Sequence, residues 1–200
     1  MSEAFDAREA ARHLRSLRDV LRFAVSQFQG AQLSFGHGSD NAFDEAAWLV
    51  QWRLGLPLDA LEGEGQRELG TQDEAAVRAL IERRIATRRP AAYLTGEAWL
   101  HGVPFYVDER VIVPRSFIAE LLRTRFAPWI GEPDAVTRVL DMCTGSGCLA
   151  ILAALAFPNA QVDAVDISSD ALAVARRNVD DYGLADRVHL AQSDLFQALG

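Results

Sequence analysis

Between Thr137 and Asp194 the sequence switches back and forth between short apolar runs that suit buried strands and longer runs that suit helices. Arg138-Val139-Leu140-Asp141 predicts a first strand, and Gly147 to Phe157 a strongly apolar helix. Gln161 to Val165 predicts a second strand ending at Asp166, and Ala171 to Tyr182 a second helix stopped by Gly183. Arg187 to Ala191 predicts a third strand ending at Ser193-Asp194. Strands separated by helices cannot join through tight turns, so they lie parallel, with right-handed crossovers. The βαβαβ order is one half of a doubly wound sheet. The fold class is therefore α/β and Rossmann-like, and a ligand is expected beyond the carboxyl ends of the strands.

That position is filled by Asp141-Met142-Cys143-Thr144-Gly145-Ser146-Gly147-Cys148, between the first strand and its helix. Gly145 and Gly147 remove the Cβ atoms that would keep a ligand from the backbone and from the helix N-terminus. Asp166 follows about twenty residues on, with Ile167 beside it, where an acid commonly grips a ribose. Two ligands compete for this arrangement. Gly145-Ser146-Gly147-Cys148-Leu149-Ala150 fits the dinucleotide fingerprint in its form ending in alanine, which suits a nicotinamide or flavin enzyme. Acids after three successive strands (Asp141, Asp166, and Asp194 with Ser193) suit a nucleoside with a charged amino-acid tail, such as S-adenosylmethionine. One acid would organise the loop, one hold the ribose and one reach the adenine. A purely structural account, acids capping the following helices, applies best to Asp141 and least to Asp166.

The front of the chain has a different texture. Leu14, Leu17, Leu21, Ala24, Val25 and Phe28 form one helical stripe, broken by Gly30, Gly36 and Gly38. A second helix is predicted from about Phe43 to Leu54, with Asp40 or Asn41 as N-cap and Gly55 after its end. Leu56 to Gly70 is weakly patterned and predicts loops. Thr71 and Glu74 predict a capping box opening a third helix, with Val77, Leu80, Ile81 and Ile85 on its buried face. That helix ends before Pro90 in Arg83, Arg84, Arg88 and Arg89, charges that offset the helix dipole and face solvent. Tyr93, Trp99, Phe105, Tyr106, Val107 and Val111 to Val113 are aromatic or β-branched, and His101-Gly102-Val103-Pro104 reads as the turn of a β-hairpin. Phe117 to Ile130 predicts a short amphipathic helix with Ser116 as N-cap. The expected organisation is a helical domain over 1–90, a hairpin linker over 91–115 and an α/β domain over 116–200.

Composition narrows the chemistry. The formal net charge is −8, which disfavours a nucleic-acid backbone as main partner and favours a basic one. All the basic residues are arginine; without lysine there is no Schiff-base chemistry and no P-loop. Cys143 and Cys148, five apart within the loop and its helix, read as small buried thiols of a reducing compartment. His13, His37, His101 and His189 show no ligand spacing, so no metal site is predicted. No apolar run approaches the roughly 20 residues of a membrane span, and Met1 to Glu9 lacks the pattern of a signal peptide. The expected location is the cytoplasm. Trp48 and Trp52, four apart on a helix, read as core. Arg115 could pair with a ligand carboxylate or form a structural salt bridge.

At these residues the sequence resembles a known family, the glutamine N5-methyltransferases of the HemK/PrmB class. The loop from Asp141 to Cys148 is similar to that family's cofactor loop. The segments Ala92-Tyr93-Leu94-Thr95-Gly96-Glu97-Ala98-Trp99, Phe105-Tyr106-Val107-Asp108-Glu109-Arg110 and Val113-Pro114-Arg115-Ser116 resemble the branch that modifies a ribosomal protein. So do His37-Gly38, Asp40-Asn41 and Asp44-Glu45-Ala46. Cys143 stands where many methyltransferases carry the first glycine of the loop. The resemblance implies a helical substrate-recognition domain and a class I methyltransferase domain that binds S-adenosylmethionine. It implies transfer of the methyl group to a glutamine side-chain amide nitrogen, in the basic third protein of the large ribosomal subunit. Contact of Arg83 to Arg89 with ribosomal RNA is the functional alternative to solvation there, and a non-enzymatic ribosome-binding module the alternative for the chain. The family's Asn-Pro-Pro-Tyr motif follows a fourth strand and is absent from these 200 residues, so no catalytic residue is assigned and the 200-residue chain is expected to be inactive. The first strand is expected mid-sheet, leaving Val139 and Leu140 facing a neighbour outside this sequence.

Overall fold

The computed structural model describes residue 14 and residues 16–36, 38–57 and 60–198. His13, His37 and the stretch from Met1 to Glu9 lie outside them. The chain divides into two compact units, Met1–Thr95 and Gly96–Gly200, so the hairpin expected as a linker belongs to the second.

In the first unit, α1 (Leu17–Gly30) starts three residues later than the apolar stripe suggests, because Ser16 and Asp19 form a capping box. The Ser16 hydroxyl accepts from the Asp19 amide at 3.2 Å, and the Asp19 carboxylate accepts from the Ser16 amide at 3.2 Å. α2 (Ala42–Leu54) is capped by Asn41, whose side-chain oxygen accepts from the Asp44 amide at 2.9 Å, and ends at left-handed Gly55. α3 (Ala60–Glu64) occupies part of the stretch expected to be loop; one turn is too short to show a helical period. α4 (Thr71–Thr87) begins after Gly70 with no side-chain cap, so the expected capping box does not form. Thr71 is already inside the helix, and the Glu74 carboxylate accepts from Arg78 instead, at 2.8 and 3.0 Å. α5 (Ala91–Thr95) is a further short helix where strand texture was expected.

The arginine cluster at the end of α4 is not simply solvated. Arg84 is 1% exposed, and its Nε donates to Glu45 Oε1 at 2.6 Å. Glu45, also buried, accepts from Ser39 Oγ at 3.2 Å, and Arg84 donates to the Ser34 carbonyl at 3.2 Å. Arg88 donates to the carbonyls of Ala31 and Gln32. Both arginines therefore pin the α1–α2 loop, which limits what they can offer an RNA. Of the two tryptophans expected in the core, Trp48 is buried and Trp52 is 38% exposed.

The second unit opens with β1 (Glu97–Leu100) and β2 (Val103–Tyr106), an antiparallel hairpin with Leu100 opposite Val103. Its turn is His101-Gly102, both left-handed, the sense that matches strand twist; Val103 and Pro104 are already in the strand. α6 (Ile118–Arg123) is shorter than expected, since left-handed Arg125 and Phe126 cannot continue a helix. The Ser116 hydroxyl accepts from the Ile118 amide at 3.2 Å.

β3 (Arg138–Met142), β4 (Gln161–Asp166) and β5 (Val188–Gln192) form a parallel sheet in the order β3-β4-β5, joined by α7 (Cys148–Ala156) and α8 (Ser169–Asp181). Among the described residues β3 flanks β4, and its Leu140 is 41% exposed. Ser168 caps α8, accepting from the Ala171 amide at 3.2 Å. The core joins Ile151, Phe157, Val162, Ala164, Val179 and Val188 with Leu100 and Phe105 of the hairpin. Burying a side chain such as Ile151 or Phe105 contributes about 1.5–3 kcal/mol. Arg187 closes the far end of α7, donating to the carbonyls of Ala154, Phe157 and Ala160 at 2.8–2.9 Å.

Candidate functional site

The carboxyl ends of three parallel strands carry the expected residues. Asp141 ends the apolar part of β3, and the Thr144 hydroxyl donates to its Oδ2 at 2.5 Å. Burial pushes the Asp141 carboxyl above its ordinary range; the Thr144 bond opposes this and the neighbouring Asp166 adds to it. Asp141 thus braces the loop and also caps the helix that follows, since the Ala150 amide in the first turn of α7 hydrogen-bonds its carboxylate and favours the charged form.

The turn itself is shaped by left-handed residues. Cys143 (φ +57°), Gly145 (φ +56°) and Gly147 (φ +78°) all lie in the region that favours glycine. The two glycines have different reasons to be there. A Cβ on Gly145 would meet nothing within 4 Å, so the space beside it is open. A Cβ on Gly147 would lie 3.1 Å from the Ala175 Cβ, so that glycine admits helix α8 rather than a ligand. The Thr144 amide donates to the Val165 carbonyl at 2.9 Å, tying the turn to β4.

Asp166, at the end of β4, accepts from the Gly145 amide through Oδ2 and from the Ser168 amide through Oδ1, both at 2.9 Å. Each carboxylate oxygen keeps further acceptor capacity. Ile167 is 65% exposed, and its carbonyl accepts from Gln192 Nε2 at 2.9 Å. Ser193 is buried and works as a turn brace: its amide donates to the Asp166 carbonyl and its hydroxyl to the Leu195 carbonyl at 2.7 Å. Asp194 is exposed, as is Arg115, which forms no ion pair among the described residues. The thiols differ: Cys143 is exposed, contrary to the reading of both as buried, whereas burial raises the Cys148 thiol to about 11 and makes it inert.

Two residues of this site were not singled out in the sequence: Ala175, which meets Gly147, and Asn178, which is 1% exposed and hydrogen-bonds the Ser146 carbonyl. The available signal was a polar residue on the otherwise apolar face of α8, among Ala171, Leu172, Val174, Ala175 and Val179.

Comparison with known proteins finds matches to both parts of the chain. Residues 19–96 match the PrmC N-terminal domain and residues 139–199 a methyltransferase domain. A ribosomal protein uL3 glutamine methyltransferase from Burkholderia pseudomallei is 60% identical over 185 residues, covering 92% of this chain and 60% of that protein. The protein of the same name from Bordetella pertussis is 60% identical over 186 residues, covering 93% and 62%. That from Neisseria meningitidis serogroup B is 54% identical over 191 residues, covering 96% and 63%. The chain thus spans about three-fifths of the length of these relatives. Along nearly all of its own length the chain is thus similar to these glutamine methyltransferases, with a PrmC N-terminal domain match ahead of a methyltransferase domain match.

Proposed function

We propose that this protein binds S-adenosylmethionine at the Asp141–Gly147 turn and transfers its methyl group to the side-chain amide nitrogen of a glutamine in ribosomal protein uL3. The observation that carries the reading is Asp166, bonded to the Gly145 amide at the mouth of a glycine turn that leaves open space beside it. A carboxylate with unused acceptor capacity suits the paired hydroxyls of a ribose, and open space beside Gly145 suits close approach to the backbone. In this reading Asp166 holds the ribose, and Ile167 and Asp194, the latter steadied by Ser193, flank the adenine. Asp141, Cys143, Thr144, Ser146 and Gly147 shape the turn, and Arg115 pairs with the amino-acid carboxylate.

The bound cofactor supplies an electrophilic methyl group on sulfur. An amide nitrogen is a weak nucleophile because its lone pair is delocalised, so the protein contributes by positioning and electrostatics. Residues 1–90 recognise the substrate protein and residues 116–200 contribute to the cofactor domain, with 91–115 between them. A net charge of −8 suits a basic ribosomal protein. Among the described residues no helix is long and apolar enough to cross a membrane, and a ribosomal substrate argues for action in the cytoplasm.

Titration calorimetry on the full-length protein should show saturable S-adenosylmethionine binding. Asp166→Ala should weaken it by about 1.5–3 kcal/mol, the worth of a hydrogen bond to a charged group. Radiolabel should pass from cofactor to uL3 only when the target glutamine is present. Saturable binding of a nicotinamide dinucleotide with none of S-adenosylmethionine overturns the reading.

A further inference from the structure

Helix α8 touches two parts of the second unit that sequence leaves far apart, the cofactor turn and the hairpin. Asn178 is the point where they meet. Its Oδ1 accepts from the Tyr106 amide at 2.7 Å, and its Nδ2 donates to the Tyr106 carbonyl at 3.0 Å and to the Ser146 carbonyl at 2.8 Å. The side chain thus pairs with Tyr106 of β2 as the peptide group of a neighbouring strand would, while its second donor holds the turn. One helical turn earlier, Ala175 fills the space left by Gly147. On the hairpin side, the Arg177 guanidinium lies 3.5 Å from the Tyr106 ring centroid, and the Tyr182 hydroxyl donates to the Pro104 carbonyl at 2.5 Å. A buried amide loses its water contacts, and the three main-chain bonds offset that loss; an apolar side chain of the same size would leave the Tyr106 amide and carbonyl and the Ser146 carbonyl without this partner.

We infer that Asn178 is a positioning residue for the cofactor turn, locking Ser146 to the β2 main chain so that the hairpin and the turn move as one body. The inference rests on the proposal that this turn binds S-adenosylmethionine. Cofactor binding then stiffens the hairpin, although nothing in the hairpin need touch the ligand.

Asn178→Asp is the sharpest variant, because it keeps shape and the acceptor but removes both donors. In the full-length enzyme it should raise the Kd and KM for S-adenosylmethionine about tenfold, with the KM for the protein substrate little changed. A merely structural role would lower the melting temperature and the active fraction while leaving both constants at the wild-type value, and that result overturns the inference. Asn178→Gln, which retains both donors, should recover part of the affinity. Hydrogen exchange on the wild type covers the case in which the variants do not fold. S-adenosylmethionine should slow exchange of the Tyr106 amide along with that of Gly145, and protection of Gly145 alone overturns the inference. Failure of the wild type to bind S-adenosylmethionine would instead refute the functional proposal.

Discussion

The two units each hold a bent loop in place with buried polar side chains, but by opposite means. In the helical unit the loop between α1 and α2 is pinned by a full ion pair, Arg84 with Glu45, reinforced by Ser39 and the Ser34 carbonyl. In the α/β unit the Asp141–Gly147 turn is pinned by a neutral amide, Asn178, and by a carboxylate that bonds backbone amides. A buried ion pair is costly to desolvate and fixes its surroundings rigidly, with both charges satisfied by each other. Among the described residues no cation pairs with the Asp166 carboxylate, which leaves its charge available to the donors of the proposed ligand. The first arrangement suits a frame, the second a site that must still bind something.

The largest effect should come from breaking the frame. Arg84→Met leaves Glu45 buried without its cation and should lower unfolding stability by about 3–5 kcal/mol in a denaturant titration. The double variant Arg84→Met/Glu45→Leu should recover much of that loss, as replacing both charges often does. A double variant no better than the single would mean that the loop, not the charge, was the source of the cost.

The two glycines of the turn sharpen the contrast on the other side. Gly147→Ala combines a left-handed φ with a Cβ 3.1 Å from Ala175, and should cost about 2–4 kcal/mol. Gly145→Ala carries only the backbone strain, about 1–2 kcal/mol. Equal losses at the two positions would show that α8 yields easily and that the Gly147 contact does not hold the turn.

A smaller effect is expected at Asp141. Because burial raises its folded-state carboxyl, the folded protein holds that proton more tightly than the unfolded chain does. Ionising Asp141 therefore costs stability: the penalty is absent below the ordinary value of 3.8, grows as pH rises through the raised value and is constant above it. Asp141→Asn keeps an acceptor for Thr144 and should unfold at higher denaturant than wild type at pH 7, with the gap closing at pH 3. A gap independent of pH would show that the gain does not come from charge.

How much of this was legible follows from what kind of signal each feature leaves. The βαβαβ order was plain because helix and strand periods differ and glycine or proline marks the breaks. The N-cap of α2 was legible to within one residue, Asp40 or Asn41, and Gly55 as its end, because only a few residue types do that work. The capping boxes were not separable: Ser16 with Asp19 and Thr71 with Glu74 have the same spacing, and only the nearby Arg78 explains why the second carboxylate turned away. Arg84 was hidden among neighbouring arginines, since nothing in the sequence distinguishes the one that turns inward to Glu45, 39 residues away. In the site, Asp166 stood out by its place at a strand end. Asn178 did not, because its partners are main-chain groups that any residue supplies, two of them on Tyr106, 72 positions earlier.

Arg187 carries a consequence for how the second unit comes apart. It sits just before β5, yet its guanidinium serves carbonyls at the end of α7 and in the bend leading to β4. The Phe157 carbonyl also accepts from the Ala160 amide at 3.0 Å, and Arg187 adds further donors at this helix end, where the last carbonyls lack intrahelical partners. The last turn of the first crossover and the start of the third strand therefore share one fastening. Neither can fray alone without exposing the other's unpaired groups, so this edge of the sheet should open as a single cooperative block rather than strand by strand.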